Sequence, residues 1–177
     1  MQTLRAVRRL GRKQDGAAAV EFGFVAMPFV ILIFAILETA MVFFAGQTLE
    51  TAVADSSRLI MTGQAQTQGF DRAAFKNSVC ARIYGLFDCQ NGLYIDVKTY
   101  PNFASINLDP PLDANGNFQD NMSYQAGQAG DIVVVRLFYQ WPIYVSVLTN
   151  MSGGKRLLSA TLAFRNEPYA PPAPPGP

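Results

Sequence analysis

Histidine is absent from all 177 residues. This removes the Ser–His and Cys–His nucleophile pairs together with the commonest general acid–base side chain. Cysteine is nearly absent too, with two copies, and no second pair or histidine is present to complete a zinc ligand set. Charge is sparse: 14 basic and 13 acidic side chains leave a formal +1, which is no electrostatic footprint for nucleic acid. Carboxylates are the remaining route to catalysis or calcium binding. Asp109, Asp113, Asp120 and Asp131 lie along one stretch, but their spacing matches no metal-binding loop, and solvated turns account for them. The glycines at 127, 130, 153 and 154 precede strand patterns, whereas a phosphate-binding glycine loop follows a strand and opens a helix. The composition therefore predicts no enzyme, no cofactor and no metal.

What the chain does have is one long apolar run. Between Phe22 and Gly46 the strongly polar side chains are Glu38 and Thr39. About 25 residues at 1.5 Å each make roughly 37 Å of helix, enough to cross a bilayer. A cleavable signal peptide is the alternative, but its apolar core is about 7–15 residues. Pro28 should kink such a helix at most, since neighbours can satisfy the freed carbonyl. Arg5, Arg8, Arg9, Arg12 and Lys13 precede the run, which by the positive-inside rule holds the amino terminus in the cytoplasm and sends the rest across the membrane. In an oxidising compartment on that side, Cys80 and Cys89 are expected to form a disulfide; two buried thiols are the alternative.

The pattern divides the chain into a basic leader (1–16), a transmembrane helix (17–46), a helical stalk (47–62), an extracytoplasmic domain (63–167) and a proline-rich, disordered tail (168–177). In the stalk, Leu49, Ala52, Val53, Ser56, Leu59 and Ile60 recur at helical spacing, and Gly63 is placed to end it. A second helix is predicted over 70–86 with Phe75, Val79, Ile83 and Leu86 on one face. Period-two segments at 93–99, 131–141 and 157–165 predict strands, each with one apolar and one wet face. The expected fold is α+β: a long amino-terminal helix, then a short helix packed on a three-stranded antiparallel sheet. Residues 100–130 read as a long surface loop. Residues 142–148 are apolar but too short to span, and fit burial against the sheet or docking on a membrane or partner.

The chemistry concentrates at residues 16–22, Gly-Ala-Ala-Ala-Val-Glu-Phe. A cut after Gly16 would make Ala17 a charged amino terminus and Glu21 the fifth residue. Amine and carboxylate on neighbouring copies could then neutralise each other, offsetting a cost of about 2.5–3.5 kcal/mol for a lone charge at the bilayer centre. A plainer reading stands beside it, with Asp15 a helix cap and Glu21 a first-turn acid reaching back to water.

These residues resemble the TadE-like family of tight-adherence pilus assembly proteins. Further likeness lies in Ile36, Leu37 and Glu38, in residues 80–89, in 157–160 and in 164–169. The resemblance implies a minor pseudopilin in the bacterial inner membrane with its domain in the periplasm. It implies cleavage by a prepilin peptidase between Gly16 and Ala17, and an assembly role for Glu21 and Phe22. Other pilin or pseudopilin subunits and an inner-membrane assembly platform are the implied partners, with Glu38 a possible intramembrane contact. The family's major pilins look like short Glu-Tyr sequences, whereas Glu21-Phe22 and a globular domain suit an accessory component. An uncleaved membrane scaffold of the same machine is the alternative.

Overall fold

The computed structural model describes residues 15–83, 85, 88–145 and 154–169. Helix α1 (Asp15–Met61) is followed by a short α2 (Gln64–Thr67), α3 (Arg72–Cys80) and a one-turn α4 (Cys89–Gly92). Strands β1 (Leu93–Tyr100), β2 (Ile132–Pro142) and β3 (Lys155–Arg165) form an antiparallel sheet in the order β1-β2-β3. The α+β class and three-stranded sheet follow the expectation from sequence. The chain divides into two compact units: Met1–Met41 with Ile143–Gly154, and Val42–Pro142 with Lys155–Pro177.

In the first unit, α1 is long and apolar enough to cross a membrane. Phe22, Phe24, Phe29 and Phe34 are all exposed, as expected of a helix whose solvent is lipid rather than a protein core. It runs through Pro28 without interruption.

In the second unit the same helix becomes a core element. Val42, Ala45, Leu49, Ala52, Val53, Ser56 and Ile60 are buried at three- and four-residue spacing. The stripe begins inside the segment that composition assigns to the membrane, because hydropathy does not distinguish lipid-facing from sheet-facing apolar side chains. Opposite them the sheet presents one alternating face. Leu93, Ile95 and Val97 stand across from Tyr139, Leu137 and Val135, which in turn face Leu158, Ala160 and Leu162. These side chains join the helix stripe in one cluster with Phe75 and Val79 of α3. Burying each large apolar side chain contributes about 1.5–3 kcal/mol.

Helix α3 is shorter than the periodicity suggests. It starts on Asp71, whose side chain accepts from the Ala74 N–H, and ends at Cys80. Cys80 is bonded to Cys89, with Cα atoms 5.7 Å apart. Nine residues of continuous helix would hold those Cα atoms about 13 Å apart, so the chain must turn back before Cys89. Ile83 still reaches the core, while Leu86 lies outside the described residues. Closing this loop contributes roughly 2–3 kcal/mol under the chain-entropy account.

Gly63 closes α1 as expected, in the left-handed region at φ 74°. The carboxyl-terminal segment fastens this end. Glu167 donates its N–H to the Met61 carbonyl at 2.8 Å, and the Tyr169 ring lies where a Cβ on residue 63 would sit, 2.3 Å from Cγ. Tyr169 thus packs on the domain rather than opening a free tail; residues 170–177 lie outside the described residues. Gly63→Ala is expected to lower stability by about 2–4 kcal/mol, combining left-handed strain with overpacking. Denaturation of the full chain in micelles would measure it, and adding Tyr169→Ala should recover the packing share only. A Gly63→Ala protein as stable as the parent would contradict this arrangement.

Candidate functional site

The amino-terminal end of α1 holds the sequence-predicted processing and assembly residues. Gly16, Ala17, Glu21 and Phe22 are all helical and exposed. Ala17 and Glu21 are separated by one helical turn and share a face. Gly16 is helical, not in an extended stretch. The Asp15 side chain and residues 1–14, which carry the basic leader, lie outside the described residues.

Glu38, the carboxylate inside the apolar run, is half-buried and engaged within its own unit. One carboxylate oxygen accepts the Tyr144 N–H at 2.5 Å and the other accepts the Val145 N–H at 2.8 Å. Residues 143–145 follow β2 directly, and the Ile143 N–H is held by the Gly154 carbonyl at 3.1 Å. Residues 144 and 145 of the apolar 142–148 stretch thus bond to α1 through Glu38; residues 146–148 lie outside the described residues. Sequence singles out Glu38 as a costly polar group. Its partners are backbone amides, which carry no residue signature.

The second sheet face departs from the wet surface its alternation predicts. Asp96 is 1% exposed and Arg136 8% exposed, directly opposite each other in the β1–β2 register. Arg136 donates from Nε and Nη2 to Asp96 Oδ2 at 3.2 and 2.7 Å, and from Nη1 to the Asp109 carbonyl at 2.9 Å. Lys98 Nζ lies 3.1 Å from the same carboxylate, and the Ser123 N–H donates to its other oxygen at 2.9 Å. Burial alone pushes the Asp96 carboxyl up. The hydrogen bonds from Arg136, Ser123 and Lys98 more than offset this and hold it below the ordinary aspartate value.

Loop residues cover this face. Ser123 and Gln125 exchange backbone hydrogen bonds with Val97 along the outer edge of β1, and the Phe118 ring packs between Tyr94 and Phe138. Residues 100–130 thus protect an edge that would otherwise be open to pairing. Tyr124 is carried inward against Phe75, and burial raises its hydroxyl to about 12.

The four loop carboxylates do not gather. Asp113 accepts from the Asn115 and Asn117 N–H groups in a turn. Asp120 meets Arg72 at 3.5 Å on the surface, the Asp131 carboxylate accepts the Gln128 N–H, and Asp109 contributes its backbone carbonyl to Arg136. Among the described residues no group of three such side chains could hold a metal ion.

In comparison with protein families, the model described as TadE-like protein matches residues 16–58. It spans the apolar helix, Glu21, Glu38 and most of the core-facing stripe. The stretches at 80–89, 157–160 and 164–169 lie outside the matched range. No curated protein and no solved structure is matched.

Proposed function

We propose that this chain, similar to TadE-like proteins over residues 16–58, is a minor pseudopilin of a Tad-type pilus. It is made in the inner membrane with its amino terminus in the cytoplasm and its sheet domain in the periplasm. A prepilin peptidase cuts between Gly16 and Ala17, and the processed chain enters or primes a fibre through its helix. The observation that carries this reading is Glu21, exposed on a lipid-type helix surface one turn beyond Ala17. Cleavage turns Ala17 into an ammonium group on the same face. Copies displaced along a fibre axis then satisfy one another's charge, and assembly follows processing. Phe22, exposed beside that pair, adds an apolar ring to the same contact.

The second reading is an uncleaved single-pass scaffold of the assembly machine. It is favoured by one observation: α1 begins ahead of the cut, so the bond between Gly16 and Ala17 is helical, whereas peptidases act on extended chain. Mass spectrometry of the purified chain after co-expression with its peptidase separates the two. The expected amino terminus is Ala17; a chain that keeps Met1 under those conditions supports the scaffold and sinks the processed subunit.

A further inference from the structure

We propose that residues 143–145 are a second membrane-contacting element, seated at the outer boundary of the bilayer beside α1 and held at that depth by Glu38. The inference rests on α1 being a membrane span. With Glu21 at the inner boundary, Glu38 lies about 26 Å further along the helix at 1.5 Å per residue. A hydrocarbon core about 30 Å thick places it in the outer leaflet, short of the headgroups. A bare carboxylate there is costly, and so is irregular backbone, whose N–H groups find no water at that depth.

The structure joins these two liabilities. Tyr144 and Val145 lie outside helix and strand, and their consecutive N–H groups converge on the two oxygens of Glu38, one to each. Each side supplies what lipid cannot. The side chains around the clamp suit the same environment. Tyr144 is 79% exposed, with an apolar ring and a terminal hydroxyl, the character of residues in membrane-interface belts. On Glu38's own helix face, Phe34 and Met41, one turn to either side, are exposed as well. The occupant of this surface is lipid, because the patch is continuous with the apolar surface that α1 gives to the bilayer. The chain thus holds the membrane at two places, and the second lies outside the residues matched by the family.

The test uses the full chain in vesicles of phosphatidylcholine with a minority of phosphatidylglycerol, carrying nitroxide groups at chosen acyl depths. A fluorophore is attached through Tyr144→Cys, Phe29→Cys or Asn115→Cys; Cys80 and Cys89 are bonded to each other and stay unlabelled. Quenching at position 144 should exceed that at 115 severalfold and be strongest for shallow nitroxides, while position 29 is quenched by deep ones. Adding Glu38→Ala should bring position 144 to the level of 115 and leave 29 unchanged. Glu38→Gln, which keeps one acceptor oxygen, should fall between. A label at 144 quenched no more than at 115, with 29 still quenched, overturns this proposal alone. So does a label at 144 that remains quenched with Glu38→Ala. An unquenched label at 29 overturns the span and this proposal with it.

Discussion

Replacing Arg136 with methionine is expected to lower the stability of the full chain by about 3–5 kcal/mol, the range for breaking a buried ion pair from one side. The loss comes from what is left behind. Asp96, 1% exposed, would keep Lys98 and the Ser123 amide but lose both guanidinium hydrogen bonds, and the Asp109 carbonyl would lose its donor. Denaturation in micelles at neutral pH would read the loss. A pH series would identify its origin. The folded protein holds the Asp96 carboxyl below its ordinary value, so the unfolded chain binds that proton first as pH falls. The stabilisation is fully present above about pH 4, the unfolded aspartate value, and is lost as pH drops through the depressed folded value. In Arg136→Met this acid limb should flatten, because burial then opposes the remaining hydrogen bonds. The double change Asp96→Leu with Arg136→Met removes both charges and should regain most of the stability. An Arg136→Met protein within about 1 kcal/mol of the parent, with its acid limb intact, would show that the pair is solvated.

If the chain is a processed pilus subunit, Glu21→Ala should leave it in the membrane and keep it out of fibres. Removing a carboxylate makes insertion of the helix easier, so the membrane-bound amount should not fall. Assembly should fail because the new ammonium of a processed neighbour then lies in an apolar contact without its counter-charge. Even about 1.4 kcal/mol lost per subunit contact is a tenfold change, so fibre-associated protein should drop at least about tenfold. Glu21→Gln should behave like Glu21→Ala, since the charge rather than the shape is at stake, and Glu21→Asp should retain part of the activity. The ratio of sheared-fibre to membrane-bound protein is the readout. Equal incorporation of Glu21→Ala would remove the pairing mechanism and leave the anchored scaffold.

The apolar run, the strand periods and the turn glycine were legible because each is a local property. A helix for lipid needs length and apolarity, a half-buried strand needs alternation, and a left-handed cap needs glycine. The second helix was overestimated because its apolar spacing continues past Cys80, while the bond to Cys89 imposes a turn that periodicity does not encode. The sheet's second face was misread for a related reason. Tyr94, Asp96 and Lys98 alternate as a solvated strand does, and nothing local tells that Ser123 and Phe118 return from far along the chain to cover them.

The sequence by itself determined that one helix is suited to lipid, that its start carries Glu21 a turn beyond Ala17, and that three amphipathic strands would share one cover. Each of those properties is read within one continuous stretch of the chain. Only the tertiary structure decided that Glu38 is met by the amides of Tyr144 and Val145, that Asp96 is buried against Arg136, and that Tyr169 packs on Gly63. Each of these joins residues far apart in the chain, and two of them use backbone atoms or the absence of a side chain, which every sequence offers in many places and only packing selects.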